Sequence, residues 1–248
     1  MDKSLYIAMT GASATLKAQA SVAHNLANVD TVGFQATLDG TVAVPVAGDG
    51  LASRVAAVRR DLGVSDAGGA ITTTGNPLDV ALHADRWLAV QDAAGGVAYT
   101  RAGDLRITQN GLLTTAGGRP VLDQSGAPVA IPPSDALEIG ADGTVSIVPQ
   151  GQPASTMATV GRLQVVAAAS RDLVRGEDGL MHAAAGTAPP QAAAGAVLTS
   201  GAREGSNVDG TAMLVSMIEL ARQFEMQVRV LHSGDESARA ANTLLSSR

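Results

Sequence analysis

Residues 5–26, LYIAMTGASATLKAQASVAHNL, carry the pattern that decides the fold. Taken at alternating steps of four and three, the stretch gives Leu5, Met9, Ala12, Leu16, Gln19, Ala23 and Leu26, and six of these seven are apolar. This spacing predicts a helix whose seam runs for about three heptads against another helix. Several seam residues are small, so a neighbouring backbone can come close. Gly11 costs the helix about 1 kcal/mol relative to Ala, which leaves packing rather than propensity to hold it. Asn28, Asp30 and Gly33 supply the turn chemistry that ends it.

The other end has the same period. Leu214, Met217, Ala221, Phe224, Val228, Leu231, Asp235, Ala238, Asn242 and Leu245 form a second seam, eight of its ten positions apolar. Ser206-Asn207-Val208-Asp209 has the spacing of a capping box, with Ser206 as cap and Asp209 answering. Met213, Ile218, Leu220, Met226 and Val230 lie off the seam, so this helix is apolar on more than one face and expects more than one partner. Asp235 and Asn242 within the seam are either solvated at a fraying end or fix register between chains.

Between the helices the period falls to two. Leu78, Val80 and Leu82 alternate. Trp87, Ala89 and Gln91 share one face of a strand, with Leu88 and Val90 on the other. Asn110-Gly111 and Asp142-Gly143 each sit between alternating apolar runs, and Asp178-Gly179 marks a further turn; such pairs signal hairpins. Val42, Val44 and Val46 around Pro45 suit a short edge strand. The Ala-, Pro- and Gly-rich stretch 183–196 reads as a flexible connection. The expected fold is α+β: N- and C-terminal helices forming a coiled-coil-like unit, with an inserted antiparallel, β-rich, partly barrel-like domain. The expected divisions are an N-terminal helix at 1–34, an extended connecting segment at 35–76, a β-rich outer domain at 77–203 and a C-terminal helix at 204–248.

Composition narrows the function. The 248 residues carry a net charge of −6, no cysteine and only five aromatic rings. No basic stripe suits a nucleic-acid backbone. Without cysteine there is no disulfide, thiolate metal site or thiol nucleophile. Few rings are left to wall a ligand pocket. Histidines 24, 83, 182 and 232 are too scattered for a metal site. No nucleophile elbow, P-loop or dinucleotide fingerprint occurs. No catalytic residue, cofactor or metal is expected, and neither nucleic acid nor a small-molecule substrate is an expected partner. No apolar run reaches the roughly 18 residues that would span a bilayer. Leu5–Ala14 after Lys3 loosely imitates a signal peptide, but Asp2, the polar interruptions and the continuing period argue for an uncleaved helix.

His24-Asn25-Leu26-Ala27-Asn28-Val29-Asp30-Thr31-Val32-Gly33-Phe34 closely resembles the N-terminal signature of bacterial flagellar rod and hook proteins, with His24 in place of the usual first Asn. Glu204-Gly205-Ser206-Asn207-Val208-Asp209, with Met217-Ile218, Arg222, Phe224-Glu225 and Asn242-Thr243-Leu244-Leu245, resembles the matching C-terminal signature. Leu78-Asp79-Val80-Ala81-Leu82, Tyr99-Thr100-Arg101-Ala102-Gly103 and Asn110-Gly111-Leu112-Leu113 extend the likeness through the centre. Where relatives commonly carry Gly-x-Gly-Phe-Phe, this chain has Ala84-Asp85-Arg86-Trp87-Leu88. Length and the opening residues are most similar to the proximal-rod member, with the distal-rod or hook members as the alternative. A periplasmic glycan-binding β protein is a more distant one.

The resemblance implies a structural, non-catalytic subunit. It would be exported unfolded through the flagellar type III apparatus without signal cleavage. In the periplasm it would assemble with copies of itself and other rod proteins into a hollow helical shaft that carries torque, joining the proximal to the distal rod. The terminal helices would form the inner tube and the β domain the outer layer. The positions expected at the assembly interface are Leu5, Met9, Leu16, Asn25, Leu26, Ala27, Asn28, Gly33, Phe34, Ser206, Asn207, Leu214, Met217, Ala221, Phe224, Val228, Leu231, Asn242 and Leu245.

Overall fold

In a computed structural model that describes residues 2–46, 55–153 and 155–246, the helical period at each end becomes a helix: α1 spans Asp2–Ala27 and α2 spans Gly210–Ser246. The side chains of Leu5, Asn242 and Leu245 lie outside the described residues. The chain divides into two compact units, one of residues 1–27, 37–62 and 209–248 and one of residues 28–36 and 63–208.

In the first unit α1 packs along α2, on a face turned by about one residue from the predicted seam. Ala12 and Thr15 are buried, whereas Met9 and Leu16 are about half exposed. Gln227 of α2 lies 3.4 Å from where a Cβ on Gly11 would sit, and Thr15 Oγ1 donates to its Oε1 at 3.1 Å. Small residues thus face α2 and the larger apolar ones are left outside. The spacing of two helix axes depends on the side chains at the contact, and small ones bring the axes close.

The helix start is also corrected. Asp209, not Ser206, caps α2: its Oδ1 accepts from Thr211 N at 2.9 Å and Ala212 N at 3.1 Å. Ser206 Oγ instead accepts from Val208 N at 3.2 Å. Asn207 is engaged in the other unit, so the backbone cannot turn helical until after it. Asp209→Ala should cost about 1 kcal/mol of helix stability. It should speed amide exchange at Thr211 and Ala212, while Ser206→Ala leaves both amides unchanged.

The first unit also contains a hairpin, β1 (Thr37–Pro45) and β2 (Val55–Val64), drawn from the stretch expected to be extended. Asp39 and Arg59 pair across it, and Arg59 donates to the carbonyl of Lys17 on α1. Asn25 holds the hairpin start to the end of α1: its Nδ2 donates to Thr37 O at 3.0 Å and its Oδ1 accepts from Thr37 N at 2.9 Å.

The second unit holds the core. Its largest sheet has six strands in the order Leu173–Arg175, Met181–Ala183, Val97–Thr100, Arg86–Gln91, Val165–Ala167, Gln191–Ala192. Every named pairing in it is antiparallel. The alternation along Arg86–Gln91 is as predicted: Leu88 and Val90 point into one apolar cluster with Leu105, Leu113 and Val121, and Trp87 and Ala89 into another with Tyr99 and Leu173. Both faces are therefore covered. A three-stranded sheet of Ala158–Arg162, Thr144–Pro149 and Ser134–Ile139 turns at Asp142-Gly143 between its last two strands. All three predicted turn pairs connect antiparallel strands. The stretch 183–196 is more ordered than a linker, since Gln191–Ala192 pairs with Val165–Ala167.

The partly barrel-like expectation is corrected: among the described residues no sheet closes. The strands of this unit are two to six residues long and fall into separate sheets with open strand orders, whereas a barrel needs one sheet closed on itself. The central strand of the three-stranded sheet is irregular at Val145/Ser146 and again at Val148/Pro149.

Candidate assembly interface

The two units bury apolar surface very differently. Both core clusters lie in the second unit, and in the first the only buried apolar side chains among the described residues are Ala12 and Ala14. Its large apolar residues stay in solvent: Tyr6 is 68% exposed, Leu62 59% and Val230 62%, and Leu214, Val215, Ile218 and Met226 are likewise exposed along α2. On the hairpin Val42, Val44, Val55 and Val58 are exposed too. Exposed apolar surface this extensive marks an interaction face. A two-stranded hairpin with so little buried is also marginal alone.

The predicted interface residues divide accordingly. Met9, Leu16 and Leu214 are exposed on the helices. Met217, Ala221, Phe224, Val228 and Leu231 are half-buried along α2, and Leu26 is half-buried near the end of α1 while Ala27, its last residue, is exposed. Asn25 is buried against Thr37. Asn28 caps a turn, accepting from Thr31 N at 3.1 Å and, through Oδ1, from Thr31 Oγ1 at 3.1 Å.

Gly33, Phe34, Ser206 and Asn207 belong to the second unit, where the two end signatures meet. Gly33 has φ 66°, its N–H donates to Glu204 O at 2.9 Å, and a Cβ there would lie 2.2 Å from the carbonyl carbon of Arg101. The Phe34 ring lies 4.5 Å below the Arg175 guanidinium. Asn207 accepts from Ala36 N at 2.6 Å and donates to Ala67 O at 2.7 Å. Its own N–H donates to Phe34 O at 3.2 Å.

Below this lies a buried ion pair that the motif residues did not single out. Arg101 and Glu204 are 6% and 1% exposed. Nε and Nη2 of Arg101 donate to Glu204 Oε2 at 2.9 and 2.6 Å. The remaining donors reach the carbonyls of Leu82 and Arg86 at 3.1 and 2.9 Å and that of His83 at 3.3 Å. Glu204 Oε1 accepts from Gly69 N at 2.8 Å. Trp87 lies 5.7 Å from the guanidinium, and its indole N–H donates to Ala168 O. An open cavity of about 330 Å³ borders the pair. Trp87 lines this cavity but is only 2% exposed, and Tyr99 is buried in the core, so neither ring offers the open stacking face a glycan site would need. Among the described residues no group of His, Asp and Glu is placed to hold a metal ion.

Three family models match the chain: residues 5–35 match the flagella basal body rod protein model, 81–147 the flagellar hook protein FlgE/F/G D1 domain, and 199–244 the flagellar basal body rod FlgEFG protein C-terminal model. The chain is 44% identical to the flagellar basal-body rod protein FlgF of Escherichia coli K12, with 99% of each chain covered. The chain belongs to the flagellar basal-body rod protein family. The FlgF of Salmonella typhimurium LT2 is 43% identical over 99% of both chains. The rod protein FlgG of Bacillus subtilis 168 is 31% identical over 95% of this chain and 96% of its own. The first and last family models end and begin at the segments that meet at Gly33 and Glu204. No helix among the described residues is long and apolar enough to cross a membrane.

Proposed function

We propose that this chain is a structural, non-catalytic subunit of the flagellar basal-body rod, placed where the proximal rod joins the distal rod. The observation that carries the reading is the first unit, whose apolar helix and hairpin faces are exposed among the described residues. Copies of the chain and other rod proteins cover them on assembly. The helices pack in coiled-coil fashion within the inner tube of a hollow shaft, and a head-to-tail contact that does not close extends it helically. The β-rich unit, with its own two-faced core, forms the outer layer. Family membership supports the placement in the basal body and among rod partners. Segments that gain most of their burial on assembly suit passage unfolded through the type III export apparatus, with α1 retained rather than cleaved.

Limited proteolysis of the full-length monomer, read by mass spectrometry, tests this. The expected result is cleavage within residues 1–27, 37–62 and 209–248, leaving residues 28–36 and 63–208 together as the resistant β-rich unit. Resistant ends on a compact monomer would end assembly-coupled folding as an account of the chain.

A further inference from the structure

The chain passes between its two units at four points, 27/28, 36/37, 62/63 and 208/209. On the β-rich side the crossing backbone forms three stretches: residues 28–36, those following Gly63, and those ending at Val208. A lone backbone segment swivels about its φ and ψ angles and transmits almost no twist. Three segments bonded to one another and to a core cannot swivel separately.

All three are bonded in one place. Asn207 reaches the first through Ala36 N and Phe34 O, and the second through Ala67 O. Glu204 reaches the first through its carbonyl on Gly33 N and the second through its carboxylate on Gly69 N. Two further bonds join them, Ser65 N to Ala36 O at 2.8 Å and Gly205 N to Ala70 O at 2.8 Å. Arg101 then fixes Glu204 to the core strands through three carbonyls. We propose that Asn207 and the buried Arg101–Glu204 pair form a torque clamp, tying the three crossing segments to the β-rich core so that twist passes between the units as through one joint. Glu204 and Asn207 of the C-terminal signature hold Gly33 and Phe34 of the N-terminal one, and Arg101 of the central likeness anchors Glu204, which gives Gly33 and Asn207 a common purpose within one chain. The clamp stands on geometry; its use under torque rests on the rod reading.

Asn207→Ala in the full-length chain tests it first. Amide exchange over 33–37 should rise about tenfold, as expected for losing a hydrogen bond or two, while 87–91 stays protected. Unchanged exchange over 33–37 would overturn the clamp. Cells carrying only the variant should build filaments and swim in dilute medium, yet lose most of their speed in viscous medium; equal swimming at both viscosities would overturn the torque role. If Asn207→Ala unfolds the β-rich unit, reported by Trp87 fluorescence, Asn207→Asp takes its place. It keeps the acceptor for Ala36 N, loses the donor to Ala67 O, and should show a smaller, still viscosity-dependent, loss. A strain lacking the protein that still builds filaments would refute the rod reading and leave the exchange result standing.

Discussion

Gly33→Ala is expected to lift residues 28–36 off the β-rich unit and to destabilise that unit by about 3 kcal/mol, the sum of left-handed strain and overpacking. Two independent penalties act at this position. The backbone sits at φ 66°, which a Cβ resists, and the added atom would be 2.2 Å from the Arg101 carbonyl carbon, deep inside contact distance. Backbone rather than a flexible side-chain tip stands in the way, so the segment itself must move. Gly126 supplies the control. Its φ is 83°, but a Cβ there meets nothing within 4 Å. Gly126→Ala should therefore show only the conformational part, about 1–2 kcal/mol. Urea unfolding followed by the single tryptophan, Trp87, buried in the affected unit, measures both. Equal losses for the two variants would mean that the Arg101 backbone yields easily and that Gly33 is not wedged.

Periodicity made the elements legible but not their orientation. The step of four and three found α1, since a helix displays it whatever it packs against. It chose the larger residues Leu16 and Met9 for the seam, whereas the close approach of α2 selects Gly11 and Thr15. Local spacing cannot tell a face that packs within the chain from one kept for a neighbour, because both are apolar. Asp-Gly and Asn-Gly placed the hairpin turns well, because their backbone demands are local. The start of α2 is set by tertiary rather than local demands. Ser206 has the right side chain, but Asn207 and its tertiary bonds hold the backbone extended there, and the cap moves to Asp209. The β1–β2 hairpin carried only the faint signal of alternating valines. Arg101 and Glu204 stand in separate motifs 103 residues apart, and nothing in either neighbourhood announces the other.

That pair predicts the second large effect. Glu204→Gln keeps the side-chain shape but leaves the Arg101 charge buried without its counter-ion, a change that costs about 3–5 kcal/mol. Taking the lower end, the β-rich unit should melt about 6–12 °C lower. A buried ion pair can often be exchanged for apolar residues at no loss, because desolvation consumes most of its attraction. Here that exchange should fail. Arg101 also supplies donors to the carbonyls of Leu82, His83 and Arg86, and Glu204 an acceptor to Gly69 N–H. An apolar pair would strand all of these, each at a cost of about 1–3 kcal/mol if water cannot reach it. The double variant Arg101→Met/Glu204→Gln should therefore lose less than the sum of the two single changes, because neither charge is left buried alone, and remain well below the unaltered protein. A double loss equal to the sum of the singles would mean that the two charges are not coupled. A double variant as stable as the original would mean that the carbonyls find other donors, and the clamp would then rest on Asn207 alone.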